Sequence, residues 1–232
     1  MKKYILLLLL LPVWVSAQNR QVVEAAAGGD ISKSISRQMQ YLFPEFTNGD
    51  VYFSSSTKGS GLLNYNMLAG EMQFMENGQV MAISNVRDVV LVNIGNRRFY
   101  RFNDREFAEE LMTTGAAQLR VRRKATAAPH SKKGAYGMET STSSITSYSS
   151  ISEGGQHYNL TVAENILVTR KDYYYLVGTN GKYVLIKNAK TFTKQFPGYR
   201  AQIETFIKNN NIRLDNEDDL KALLQYCSKL GN

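Results

Sequence analysis

Gly61-Leu-Leu-Asn-Tyr-Asn66, Gly70-Glu-Met-Gln-Phe-Met75, Val80-Met-Ala-Ile83, Val89-Val-Leu-Val-Asn-Ile94 and Arg97-Arg-Phe-Tyr-Arg-Phe102 follow one another with short breaks. Apolar runs split by Asn77-Gly78 and Gly95-Asn96 are the pattern of an antiparallel meander. Asn-Gly tolerates the positive φ values that a tight type I′ hairpin needs. Met72 and Phe74 alternate with Gln73 and Met75, as in a half-buried strand. Val89–Ile94 is nearly all apolar and predicts a central strand buried on both faces. Phe99, Tyr100 and Phe102 offer aromatic surface for cross-strand pairing.

Ahead of the meander, Lys2, Lys3, an apolar stretch Ile5–Val15 and the small residues Ser16-Ala17 have the form of a signal peptide over residues 1–17. The apolar stretch is too short to span a bilayer. The mature chain is expected to begin at Gln18, without Trp14, the sole tryptophan. Cys227 is the only cysteine, so no lipid-acceptor thiol follows the signal and no internal disulfide forms. The expectation is an exported protein, periplasmic or outer-membrane associated, with no transmembrane span in its mature part. An uncleaved anchor is the alternative.

The chain carries 28 Lys and Arg against 20 Asp and Glu, an excess that falls to six without Lys2 and Lys3. For an exported chain that excess argues for an acidic envelope partner (lipid phosphate, glycan or protein) and not for nucleic acid. Solubility alone also explains such a charge.

Outward from the meander, Gln18–Phe46 is a polar lead-in in which Ile31, Ile35, Met39 and Leu42 form a weak helical stripe stopped by Pro44. A strand over Asp50–Ser54 follows Asn48-Gly49. Asn103 could cap a short helix with Phe107, Leu111 and Met112 on one face and Gly115 at its end. Leu119–Lys124 reads as a strand with split faces. Residues 126–155 are rich in Ser, Thr and Lys and predict a flexible loop or linker between a β-rich half, 18–125, and a second part, 156–232, with one continuous domain as the alternative. In that second part, strands are expected over Tyr158–Val162 and Ile166–Thr169, with a break at Asp172. Tyr173–Val177 then pairs with Tyr183–Lys187 across Asn180-Gly181. Two helices close the chain, roughly Tyr199–Asn209 and Asn216–Lys229, with Leu220, Leu223, Leu224, Cys227 and Leu230 on one stripe. The fold class is α+β, a predominantly antiparallel sheet with two short C-terminal helices.

Catalytic residues do not emerge. His130 and His157 lack ligand-like spacing, so no metal or cofactor is expected. The serines between Ser141 and Ser152 lie in the flexible tract and form no Gly-x-Ser-x-Gly elbow. Glu71, Glu76, Asp88 and Asp104 read as solvated strand and turn carboxylates. The strongest constellation is basic: Arg120, Arg122, Arg123, Lys124, Lys132 and Lys133, candidates for binding an anionic partner. A charged edge strand explains the same residues. Tyr173, Tyr175 and Tyr183 are candidates for a ligand face.

Arg37-Gln-Met-Gln-Tyr-Leu-Phe-Pro-Glu-Phe46, Leu63–Phe74, Lys133-Gly-Ala-Tyr-Gly137 and Glu217–Tyr226 together resemble a group of uncharacterised exported proteins of Bacteroidota-type bacteria. The resemblance implies an envelope location and brings no activity, cofactor or catalytic residue. The expected function is that of a non-enzymatic envelope binding or accessory protein. One alternative is a β-barrel-like carrier of a lipid or small apolar ligand, suggested by Met67, Met72, Met75, Met81 and the tyrosines. A second is a hydrolase with an unrecognised site.

Overall fold

The computed structural model describes residues 19–25, 34–115, 117–129 and 164–230. In chain order they form β1 (Arg20–Ala25), α1 (Arg37–Gln40), β2 (Thr47–Phe53), β3 (Lys58–Asn66), β4 (Glu71–Glu76), β5 (Gln79–Ala82), β6 (Val89–Ile94), β7 (Arg97–Arg101), β8 (Phe107–Thr113), β9 (Ala117–Pro129), β10 (Glu164–Gly178) and β11 (Tyr183–Leu185). Three helices follow: α2 (Ala189–Thr193), α3 (Arg200–Asn209) and α4 (Glu217–Leu230). The fold is α+β and dominated by one antiparallel sheet of 11 strands in the order β1-β10-β9-β8-β7-β6-β2-β3-β4-β5, with β11 also on β10.

The hairpin turns follow their residues. Asn77 and Gly78 both take positive φ (51° and 78°), the type I′ pattern. At Gly95-Asn96 only the glycine does, at 57°, as a type II′ turn requires. Between β3 and β6, a Cβ on Gly49 would stand 2.4 Å from the Asn93 carbonyl oxygen, so only glycine lets the strands approach this closely.

The sheet curls until its path returns on itself. β3 stands five places from β9 in the strand order. Yet the Ala125 N–H donates to the Met67 carbonyl just beyond β3, at 2.9 Å. Strand alternation sends Val51, Leu63, Tyr65, Met72, Val92, Ile94, Phe99 and Phe107 to the concave side, where they form one buried cluster with Ala125, Ala127, Ile166 and Val168. A second cluster lies on the same face of β9 nearer its start. Ala117, Leu119 and Val121, with Tyr174 and Leu176 of β10, are covered there by Phe192, Ile203, Leu220, Leu223 and Leu224 from the helices.

Two helix starts are capped by asparagine side chains. Asn188 caps α2 through a complete capping box with Thr191. Asn216 Oδ1 accepts from the Asp219 N–H at 3.0 Å at the start of α4. The Asp219 carboxylate turns away from the box to take the Arg213 backbone and side-chain N–H groups, both at 3.0 Å. Cys227 lies in the helical stripe, 5% exposed, and burial pushes its thiol up to about 12. The thiol is therefore expected to resist a thiol reagent at pH 8 in the native state and to react only on unfolding. Labelling of the folded protein at the rate of the unfolded one would contradict this packing.

Several expectations are corrected. Residues 103–115 do not form a helix: Phe107–Thr113 is β8. A bulge between Glu110 and Met112 shifts the register and gives Phe107, Leu111 and Met112 a helix-like spacing. Asp172 does not break β10, because Arg123 lies directly opposite it and satisfies its carboxylate. Val89–Ile94 is buried on one face only, with Val90 52% exposed. The polar lead-in holds a strand, β1, paired to β10. Residues 126–129, read as the start of the linker, continue β9 against β10. Strands from both sides of that tract thus share one sheet. The expected strand at 158–162 lies outside the described residues. Among the described residues, no helix is long and apolar enough to cross a membrane.

Candidate functional site

β9 separates the basic residues by the parity of its alternation. Gln118, Arg120, Arg122 and Lys124 point to the convex side of the sheet, while Arg123 points to the concave side. Directly opposite on β10, Tyr175, Tyr173 and Lys171 share the convex face with Arg120, Arg122 and Lys124. Tyr183 joins them from β11, where it pairs with Val177. The sequence candidates therefore converge, with Arg123 as the exception. Lys132 and Lys133 lie outside the described residues, as do His130 and His157.

On the convex face, cations and rings interleave. The Arg120 guanidinium stands 3.9 Å from the Tyr100 ring centre and 5.3 Å from that of Tyr183. Arg122 stands 4.8 Å from Phe102 and 5.1 Å from Tyr173. Lys171 Nζ is 5.3 Å from Tyr173, and Arg98 is 5.5 Å from Tyr100. Phe102, Tyr175 and Tyr183 meet one another at centroid distances of 5.0–5.8 Å. Ring quadrupoles hold such cations without neutralising them.

Carboxylates only partly balance this face. Arg120 donates to Gln118 Oε1 and to the Tyr183 hydroxyl, and touches no carboxylate among the described residues. Arg122 and Lys124 share Glu106, at 3.0 and 3.6 Å. Arg98 pairs with Glu110 at 3.1 Å. Buried Nε–H groups of Arg120 and Arg122 have no acceptor among the described residues. Burial raises the Tyr183 hydroxyl above its ordinary value, with Arg120 opposing it. Burial also raises Tyr175. Both phenols stay neutral donors at any physiological pH.

Arg123 does different work on the concave side. Its guanidinium donates to Glu109 at 3.1 Å, to Glu217 at the start of α4 at 2.8 Å, and to Asp172. Glu109 is also held bidentately by Arg97, at 2.6 and 2.5 Å. Burial works against the charge of Arg123, but these carboxylates outweigh it and raise its pKa. Burial likewise opposes ionisation of Glu217, yet hydrogen bonds from Lys221 and Arg123 keep its carboxyl below the ordinary value. This network fills the junction between the two buried clusters and engages all three guanidinium nitrogens of Arg123 with carboxylates of the protein itself.

The concave side of the sheet carries large buried side chains. Met67, Met72, Tyr65, Phe99 and Phe107 are all within 2% of complete burial. Tyr100, Phe102, Glu106 and Lys171 were not singled out as site residues by sequence reasoning. Tyr100 lies on β7, two strands from Arg120, and the register across β8 runs from Arg98, two residues before Tyr100, through Glu110 to Arg120. No local signal in the sequence marks that reach. No family model, curated protein or solved structure matches the chain.

Proposed function

We propose that this is an exported, non-enzymatic binding protein of the bacterial envelope, of the Bacteroidota-type group it resembles, which engages anionic partners through the convex face of β7, β9, β10 and β11. The single observation that carries the reading is the arginine–aromatic array there. Arg98, Arg120, Arg122, Lys124 and Lys171 outnumber Glu106 and Glu110, and aromatic rings hold the arginines in place without cancelling their charge. Cations fixed in advance lose little entropy on meeting phosphate or carboxylate. The signal-like sequence of residues 1–17 supports an envelope location.

The test is sedimentation with phosphatidylglycerol vesicles against neutral phosphatidylcholine vesicles. Binding to the anionic vesicles alone is expected. Replacing Arg98, Arg122 and Lys171 together by serine removes three cations of this face at ~1 kcal/mol each, so affinity should fall about a hundredfold. Unchanged affinity in that variant would exclude this face.

A further inference from the structure

We propose that a pocket at the seam of the curled sheet receives a phosphate ester that carries hydroxyl groups. This deepens the reading of the convex face and rests on it, since Glu106 and Lys124 belong to both. The pocket encloses about 240 Å³ between the turn at 68–70 after β3, the β7–β8 connection and β9. That is below the roughly 300–1,000 Å³ of sites that swallow a whole drug-sized ligand. It suits a headgroup whose remainder stays outside.

The lining supplies two cations and one open acceptor. Asn103 Oδ1 accepts the backbone N–H groups of Arg105 at 2.9 Å and Glu106 at 2.7 Å, which fixes the connection. Among the described residues, the Arg105 guanidinium makes no ion pair or hydrogen bond, although it lines the pocket. Lys124 Nζ stands 3.6 Å from Glu106 Oε1, a loose contact. Glu106 Oε2 is occupied by Asn103 Nδ2 at 2.8 Å and Arg122 at 3.0 Å. Among the described residues, Glu106 Oε1 has only the distant lysine. Gly70, at φ +71°, makes room for this carboxylate: a Cβ there would fall 2.9 Å from Glu106 Cγ. The phosphate is bound by Arg105 and Lys124, and a neighbouring hydroxyl donates to Glu106 Oε1.

Isothermal titration with glycerol 3-phosphate, inorganic phosphate and glycerol tests this, beside the phosphatidylglycerol vesicles. Glycerol 3-phosphate should bind at least tenfold more tightly than inorganic phosphate, and glycerol should not bind. Arg105→Ala should weaken glycerol 3-phosphate at least tenfold with an unchanged thermal midpoint, because among the described residues its guanidinium supports nothing else. Glu106→Gln should narrow the preference for glycerol 3-phosphate over phosphate. If glycerol 3-phosphate fails to bind, or binds Arg105→Ala equally well, the pocket assignment is overturned, and vesicle binding lost only in the Arg98, Arg122, Lys171 variant then leaves the face standing. Binding of free glycerol 3-phosphate without vesicle binding supports the pocket with a soluble ligand as its source and overturns the membrane-facing reading. Displacement of the protein from vesicles by glycerol 3-phosphate supports the lipid headgroup as the source.

Discussion

Arg123→Ala lowers the free energy of unfolding by about 3–5 kcal/mol, the cost of removing one member from a buried ion network. The loss follows from what remains. Glu109, its side chain 7% exposed, keeps Arg97, but Asp172 loses its directly opposed partner and Glu217 keeps Lys221. β10 then carries a charged aspartate in mid-strand, and the start of α4 loses its tether to β9. Urea unfolding followed by far-ultraviolet dichroism measures the change. Arg200→Ala is the control: it breaks an exposed i,i+4 pair with Glu204 on α3 and should cost under about 0.5 kcal/mol. Equal, small effects in both variants would mean that the junction between the two buried clusters is wet and the network incidental.

Leu223→Ala costs a comparable amount, about 2–5 kcal/mol. Leu223 is fully buried, as are its neighbours Leu220 and Leu224, and all three face β9 and β10. Removing its branched end leaves a cavity that the flanking leucines, themselves enclosed, can only partly fill. Because β9 supports both clusters on one face, the whole transition should move. Tyrosine near-ultraviolet dichroism and far-ultraviolet dichroism should give the same shifted midpoint. An early transition confined to the helical signal would contradict the sharing of one sheet.

Much of this architecture can be read from local chemistry. Asn77-Gly78 and Gly95-Asn96 specify their turns by backbone conformation, and the leucine stripe of α4 specifies its buried side. These signals act over a few residues. The parts that escape are those whose reasons lie far away in the chain. Asp172 looks like a strand breaker until Arg123 stands opposite it. Glu109 can lie in the interior only because Arg97 and Arg123, distant in sequence, neutralise it there. β1 becomes a strand because β10 offers it an edge. The closure at Met67 and Ala125 is one hydrogen bond between residues of no special type.

The candidate face divides in the same way. Period-two alternation separates Arg122 from Arg123 once β9 is known to be a strand, so the sequence can nominate the convex set. It cannot say which side is already satisfied, and Arg123, equal to its neighbours by composition, is spent on holding the two clusters together. Tyr100 and Phe102 become partners of Arg120 and Arg122 only through the order of strands.

The orientation of the bound protein is the point on which the functional reading turns, and lysine footprinting measures it. The protein is acylated briefly, free and on phosphatidylglycerol vesicles, and each lysine is quantified by mass spectrometry. Lys171 and Lys124, on the convex face, should be protected by the vesicles, while Lys208 and Lys229, on the helices that cover the opposite face, should react as before. Protection of Lys208 and Lys229 with Lys171 still fully reactive would contradict it.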